Sequence, residues 1–396
     1  MKRQIRKSHF DNIGPLRFLA FFAIFLSHVY LTKNNQINAS KFYSDFKQVV
    51  FNLNEAAYSL LFIITGFLNT WGIFEERFIY KKVNILRFYM RRIITLVPLY
   101  LVIFFIGFYI LPKIQTGFES TETHGIPIWS YLTFTGNYFY NGSGNAVSLV
   151  PAIMWSIAVV IQFIFIWPFL MNLFRRHEQL LFASGMIIFL ASAWYYQGTK
   201  NFQFSFLNIL CELMIGGWIA YFSFFKYKIY DYLKRNTTRT ILAVYLLFFG
   251  FVFFRNSINN EISDLPRFIV FILNRLFLAF IIGYFVFEQN FSNKSLLKLA
   301  KLKVFKFPGK IVYGLYAYHM IGILFGYKAT LWLNEGKEYA YSLFLLQPIF
   351  ALSTTFALAI LSHEFLEKKF IRRRKDYQPN REYNPIGLKD VKTKSA

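Results

Sequence analysis

The feature that most constrains this chain is a series of ten apolar windows, each long enough to cross a membrane as a helix. A hydrocarbon core about 30 Å thick requires about 20 helical residues, whereas barrel strands alternate in polarity and are only about ten residues long. The windows lie at residues 14–32, 50–73, 93–112, 148–172, 179–196, 204–225, 240–254, 267–288, 311–332 and 341–363. The sequence therefore predicts an all-α polytopic membrane protein with about ten transmembrane helices.

Composition and charge distribution support this class and set an orientation. Charged residues make up 16% of the 396 and hydrophobic residues 56%, whereas soluble domains are about 25% charged. Of the 44 lysines and arginines, 33 fall in alternate connecting segments that include both termini, and 8 fall in the other segments. Because cytoplasmic segments are enriched in basic residues, both termini are predicted to be cytoplasmic. The net charge of +24 then reflects topology and contact with anionic membrane lipids, and requires no nucleic acid partner.

The domain organisation follows from the same windows. Residues 1–370 are predicted to form a single integral membrane domain, and the polar, basic residues 371–396 a disordered cytoplasmic tail. The single cysteine, Cys211, excludes an internal disulfide and any cysteine-based metal cluster, and no metal site is expected.

Two ionisable residues interrupt the first apolar window. Arg17 and His28 are eleven residues apart, which places them about 20° apart around a helix and about 16 Å apart along it. Ionisable groups inside a membrane are costly unless they face a partner or a wet cavity, so function is the default hypothesis. The alternative is structural, with Arg17 reaching the inner headgroups and His28 bridging two helices.

Six further short motifs follow in the order of the predicted spans. They comprise Phe62, Gly66 and Phe67; Phe88, Tyr89, Arg91 and Arg92 with Pro98 and Tyr100; Trp155 and Ser156 with Gln162, Phe163, Trp167 and Pro168; Glu212–Gly216; Tyr313–His319; and Phe365–Lys368. Together with Arg17, Ala20 and His28, these motifs resemble the membrane-bound acyltransferase-3 family, integral membrane enzymes that O-acylate exported sugars. The resemblance extends over about residues 14–370.

The resemblance implies transfer of an acyl group, usually acetyl, from cytoplasmic acyl-CoA to a hydroxyl of an extracytoplasmic polysaccharide or glycoside. The implied partners are acyl-CoA as the donor and a surface glycan or lipid-linked sugar as the acceptor. The implied location is a cell membrane, as in a bacterial inner or plasma membrane.

The arginines are candidates for binding the donor. Arg17, Arg91 and Arg92 are predicted to form a cationic mouth on the inner side, and guanidinium groups suit the phosphates of a CoA-like molecule. The alternative for Arg91 and Arg92 is that they anchor the orientation of the third span.

Three residues are candidates for catalysis. His28 is the candidate base, because an imidazole with a pKa near 6.5 can accept a proton from a sugar hydroxyl and return it to a leaving thiolate. His319 or Ser156 is then expected to orient the donor carbonyl or to stabilise the developing oxyanion. An acyl-enzyme on Ser156 or a histidine remains open.

Other polar residues within the spans are candidates for substrate contact or structure. Glu212 and Arg275 fall at similar depth in different spans and are expected to form an ion pair. Trp155, Tyr313 and Tyr316 complete this group through their places in the motifs.

The chain departs from the family pattern at two places. Thr95 stands where the motif has another arginine, and Val160 with Ile161 stands where it has one or two glutamates. If the missing cation and anion formed a pair, the two changes compensate each other. Otherwise they indicate a different donor, a different acceptor or an inactive relative.

A second class of function fits the same composition. A non-enzymatic glycan flippase or transporter, or a glycan polymerase, would also place charges along a path through the membrane. The largest predicted outer loop, at about residues 113–147, is expected to bind the acceptor or to form an interfacial belt through its aromatic residues. Those aromatic residues are Trp129, Tyr131, Tyr138, Phe139 and Tyr140.

Overall fold

The computed structural model describes residues 10–32, 34–114, 127–139, 149–197, 199, 202, 204–261 and 265–377. These residues are mostly helical, and none of them is in a strand. The all-α polytopic membrane fold is confirmed.

The described helices follow the apolar windows closely. In chain order they are α1 (Ile13–Val29), α2 (Asn35–Asn38), α3 (Lys41–Tyr80), α4 (Ile85–Phe105), α5 (Leu111–Ile114), α6 (Ile128–Leu132), α7 (Gly136–Phe139), α8 (Leu149–Leu173), α9 (Glu178–Tyr196), α10 (Phe206–Phe225), α11 (Tyr227–Lys234), α12 (Thr238–Glu261), α13 (Arg267–Phe291), α14 (Lys303–Leu333), α15 (Gln347–Ser362) and α16 (Lys368–Arg374). π-Helical turns lie at Ile106–Ile110, Ser342–Leu346 and His363–Glu367, and 3₁₀ turns at Leu299–Lys301 and Lys375–Tyr377.

Each of the ten predicted spans coincides with a long helix, and eight helices of the described chain are long and apolar enough to cross a membrane. The other two are α1, which is apolar but has only 17 residues, and α14, which has 31 residues and carries several tyrosines and His319. The number of ten spans and the cytoplasmic position of both termini remain predictions.

Two motif glycines explain how closely the central helices approach. A Cβ atom on Gly66 of α3 would lie 2.2 Å from the carbonyl oxygen of Leu213, and one on Gly216 of α10 would lie 2.2 Å from that of Ile63. Helices in membranes commonly use small residues to bring their backbones together. α3 and α10 are the largest contributors to one apolar core, and α1, α4, α8 and α14 form most of a second core.

The last helix continues beyond the boundary predicted between the domain and the tail. α15 passes through the turn His363–Glu367 into α16, which ends at Arg374 and packs against α4. Residues 371–377 of the predicted tail are therefore helical and belong to the bundle, and residues 378–396 lie outside the described residues.

Candidate functional site

A cavity of about 230 Å³ lies between α1, α3, α4, α8, α14 and α16. Most of its wall is apolar, but its two ends are polar. Arg17, Arg92 and Arg374 lie where α1 and α4 begin and α16 ends, and Ser156 and Tyr316 lie deeper in the bundle. The cavity therefore connects a cationic end with a hydroxyl-bearing end.

The cationic end consists of three arginines without an acidic partner in the described chain. Arg17, Arg92 and Arg374 lie close enough for their charges to repel one another. The Nε atoms of Arg92 and Arg374 are buried and have no hydrogen-bond partner among the described residues. Since buried charges are normally paired, three converging guanidinium groups form a site suited to an anion such as a phosphate.

Arg91 has different surroundings from its neighbour Arg92. Its guanidinium forms an ion pair with the buried Glu76, with Nη2 and Oε2 separated by 2.8 Å, and its Nη1 donates to the carbonyl oxygen of Tyr377 at 3.0 Å. Arg91 does not line the cavity. Of the three arginines expected to bind the donor, the structure thus brings Arg17 and Arg92 into one site and directs Arg91 towards the chain after α16.

The two departures from the family pattern face the same cavity or its wall. Thr95 lines the cavity, and its hydroxyl donates to the carbonyl oxygen of Arg91 at 2.9 Å. Val160 also lines the cavity, and Ile161 is buried in the adjoining core. An arginine at position 95 and a glutamate at position 160 would therefore both face the cavity that Arg17, Arg92 and Arg374 line.

The deeper end of the cavity is organised by a contact between two hydroxyl groups. The Ser156 and Tyr316 hydroxyl oxygens are 2.6 Å apart, and Ser156 also donates to the carbonyl oxygen of Ile153 at 3.0 Å. Trp155 points elsewhere, with its ring 5.5 Å from that of Tyr58 and 5.2 Å from that of Phe204. Trp155 is not among the residues that line the cavity.

Two histidines lie next to this end of the cavity without lining it. The rings of His28 and His319 are 5.5 Å apart between centroids. His319 is fully buried, and its Nδ1 lies 2.6 Å from the backbone carbonyl oxygen of Tyr316. The Nε2 atoms of both histidines are buried and have no hydrogen-bond partner in the described chain.

The carbonyl contact determines the tautomer of His319. A carbonyl oxygen can only accept a hydrogen bond, so Nδ1 must carry the proton. In the neutral ring, Nε2 therefore holds a free lone pair and can act as a base. The position of the proton on His28 is not fixed in this way.

A second cavity of about 220 Å³ adjoins the arginines from the other side. It shares Arg17, Thr95, Val312, Tyr313 and Arg374 with the first cavity, and Glu367 also lines it. The Tyr313 hydroxyl donates to the carbonyl oxygen of Leu96 at 2.7 Å, which fixes α14 against α4. The arginine cluster is thus reached by two cavities.

Glu212 and Arg275 form an ion pair away from both cavities. The Nε atom of Arg275 lies 2.6 Å from Oε1 of the fully buried Glu212, which also accepts a hydrogen bond from Ser59 at 3.2 Å. This pair joins α10, α13 and α3. Its position indicates a structural role.

Two motif residues hold the short helices of the outer loop against the bundle. The Tyr100 hydroxyl donates to the carbonyl oxygen of Tyr131 at 2.7 Å, and Gln162 donates to that of Phe134 at 2.6 Å. Tyr131 is only 3% exposed, so it is a core residue and not available to an acceptor. The exposed aromatic side chains of this loop are Trp129, Tyr138 and Phe139, and Tyr140 lies outside the described residues.

Sequence reasoning missed Arg374 and Glu76. Arg374 falls after the last apolar window in a basic run, where it resembles any cytoplasmic anchor, and Glu76 falls three residues after the second window. Glu76 precedes Arg91 by 15 residues, and this separation does not by itself indicate that the two side chains form an ion pair across the turn between two helices. Among the described residues, no three His, Cys, Asp or Glu side chains are grouped as metal ligands would be.

The model of a family described as an acyltransferase domain matches residues 11–364, which is most of the chain. No curated protein and no solved structure matches it. The match includes every motif up to the last span and the helices that form the cavity, except α16. The chain therefore belongs to the acyltransferase-3 family and is a membrane acyltransferase.

Proposed function

We propose that the protein transfers an acyl group, acetyl in the simplest case, from cytoplasmic acyl-CoA to a hydroxyl of an extracytoplasmic polysaccharide or glycoside. The observation that carries this proposal is the cavity that joins an unpaired arginine cluster to the Ser156–Tyr316 contact, with a histidine pair beside it. Phosphates would bind at the arginines, and the reacting carbon would lie near the hydroxyl groups and histidines.

The dimensions of α1 support this arrangement. Arg17 and His28 are about 16 Å apart along the helix, a distance that suits a long, flexible thioester arm. Because α1 is predicted to run from the cytoplasmic side outwards, its arginine faces the donor pool and its histidine lies nearest to an external acceptor.

In the proposed reaction, His319 is the base. The acceptor hydroxyl gives its proton to Nε2 of His319 while its oxygen attacks the thioester carbonyl carbon. The carbon–sulfur bond breaks, and the imidazolium returns the proton to the leaving thiolate, so the products are an ester and free CoA. This proposal differs from the roles expected from the sequence. His319 is the base in place of His28, because the Tyr316 carbonyl oxygen fixes its tautomer. His28 would then orient the acceptor hydroxyl.

Ser156 is proposed to orient the donor carbonyl and not to form an acyl-enzyme. A nucleophilic serine requires a base in hydrogen-bond contact. The described partners of its hydroxyl are the Tyr316 hydroxyl and the Ile153 carbonyl oxygen, and neither is an effective base. Tyr316 and Ser156 can instead donate to the oxyanion that forms in the transition state.

Mass spectrometry of surface polysaccharide tests this function in cells that carry the native chain, a deletion, or His28→Ala. We expect an acetyl-sized mass on the glycan in native cells and its loss in the other two strains, with the variant still present in the membrane. His177→Ala is the matched control, because His177 is exposed at the start of α9 and should leave acylation intact. If the deletion removes the polymer itself without any difference in acylation, the protein acts as a flippase or polymerase.

A further inference from the structure

We propose that Arg374 is a third phosphate-binding residue of the donor site, so that α16 forms part of the binding site for coenzyme A. The inference rests on the proposed function for its donor, and it adds a residue that lies outside the part of the chain matched by the family, residues 11–364. In this site, three guanidinium groups would recognise the phosphate groups of an anion.

The first supporting observation is the position of Arg374. Its side chain lines both cavities, as does that of Arg17, so it stands where the two spaces meet. Its Nε atom is buried and lacks a hydrogen-bond partner among the described residues. A guanidinium that served only as a lipid anchor would extend its head into the interface instead of into a cavity.

The second supporting observation concerns the neighbouring acids, whose printed contacts are to residues other than Arg374. Glu364 forms an ion pair with Lys368, and Glu367 contacts Ser362 at 3.3 Å and His363 at 3.7 Å. Glu367 also lines the second cavity with Arg17 and Arg374, but among the described residues no carboxylate forms an ion pair with Arg374. The charge that balances Arg17, Arg92 and Arg374 is then expected to come from a bound anion.

The third supporting observation is a specific contact that holds the end of α16 in place. Glu76 accepts hydrogen bonds from the Asn84 backbone at 2.8 Å and from Arg91, and Arg91 donates to the Tyr377 carbonyl oxygen three residues after Arg374. Arg91 therefore acts through the end of α16 and is a positioning residue. Arg91 therefore has a role in the proposed site although its side chain does not line the cavity.

Thr95 provides the space that Arg374 occupies. Thr95 lines the same two cavities, and its side chain is short and bonded to its own helix. An arginine at that position would extend into the region of the cluster. The arginine that position 95 of α4 lacks is thus matched by Arg374 of α16.

Calorimetric titration of coenzyme A into the purified full-length protein in lipid nanodiscs tests the inference. We expect Arg374→Ala to weaken coenzyme A binding about tenfold to a hundredfold, as for loss of a charge-assisted hydrogen bond, and Arg374→Lys to weaken it less. Binding of phosphate-free pantetheine should be the same in all variants. The matched control is Arg373→Ala, which removes an exposed arginine from the same helix and should leave both affinities unchanged.

The outcomes separate this inference from the proposed function. If the native protein binds no coenzyme A, the proposed donor is wrong and the inference fails with it. If the native protein and Arg373→Ala bind but Arg374→Ala binds equally well, only the inference is overturned. Native mass spectrometry covers the other source of phosphate: loss of bound anionic phospholipid from Arg374→Ala with unchanged coenzyme A affinity would also overturn it.

Discussion

Arg91 and Arg92 are adjacent in the chain but have opposite electrostatic surroundings. One is paired with Glu76 and bound to the Tyr377 carbonyl oxygen, whereas the other lies in the cavity with Arg17 and Arg374. Successive residues on a helix point about 100° apart, so the two side chains of a double-arginine motif contact different surroundings. The anchoring interpretation of the motif thus fits Arg91, and the donor-binding proposal concerns Arg92.

The histidine pair gives a prediction about chemistry at one atom. His319→Ala should lower the rate of acyl transfer by about a hundredfold to ten-thousandfold, because the general base is lost. Binding of coenzyme A should be unchanged, because His319 does not line the cavity. Turnover of radiolabelled acetyl-CoA in proteoliposomes measures the rate, and calorimetric titration of coenzyme A measures binding, with His177→Ala as the control for both. Equal rates for His319→Ala and the native protein would show that another group accepts the proton.

A charge transplant tests whether position 95 and position 374 serve the same site. In the Arg374→Ala background, Thr95→Arg should restore coenzyme A affinity by about tenfold, because a guanidinium returns to the cluster from α4. In the native background, Thr95→Arg should give no such gain, since a fourth cation adds repulsion. The measurement is the titration described above for Arg374. Thr95→Gln, which adds length without charge, is the control and should not rescue binding.

The close crossing of α3 and α10 depends on glycines, which have no side chain. Gly66→Ala would place a methyl group 2.2 Å from a backbone carbonyl oxygen, and a backbone cannot move aside as a side chain can. We expect a loss of about 1–3 kcal/mol in stability, or failure to insert. Gly250→Ala is the control, because nothing lies within 4 Å of the added atom. Thermal unfolding in detergent followed by fluorescence-detected size exclusion should show the Gly66 variant alone unfolding earlier.

The contact between α4 and the end of α16 gives a prediction about coupling. Glu76→Gln and Arg91→Ala should each weaken coenzyme A binding, because both release the segment that carries Arg374. If Arg91 acts through Arg374, the double variant Arg91→Ala with Arg374→Ala should be no weaker than Arg374→Ala alone. A double-mutant cycle on the titration data measures this coupling, which typically reaches about 0.5–3 kcal/mol for residues in one network. Additive losses would mean that Arg91 contacts the donor directly.

The apolar windows predicted where the long helices of the whole chain lie, because lipid imposes a length and a composition on each span. They did not predict that α14 would differ in composition from the eight helices that are long and apolar enough to span a membrane. It carries the Tyr313–His319 motif and packs against α1 and α15, so its polar groups face protein. Nor could they reveal Arg374. Its role depends on a helix continuing past the last apolar residue, and basic residues at such a place are equally typical of an anchor.

The orientation of the bundle is the remaining prediction, and it fixes which side supplies the donor. Glu335 lies in the exposed turn between α14 and the last helix, and Arg235 lies in the exposed turn after α11. With the N-terminus in the cytoplasm and ten spans, Glu335→Cys should react with a membrane-impermeant maleimide in intact spheroplasts. Arg235→Cys should react only after permeabilisation. Cys211 is fully buried and should stay unlabelled, so the native chain is its own control.

The reverse labelling pattern would place the arginine cluster on the outer side. Coenzyme A is a cytoplasmic metabolite that cannot cross lipid, so an outward-facing cluster would have no access to it. The cavity and its three arginines would then bind another anion, and both the donor assignment and the role of Arg374 would fail together. Labelling of both positions from the same side would instead mean that the number of spans between them is even, because successive spans alternate in direction.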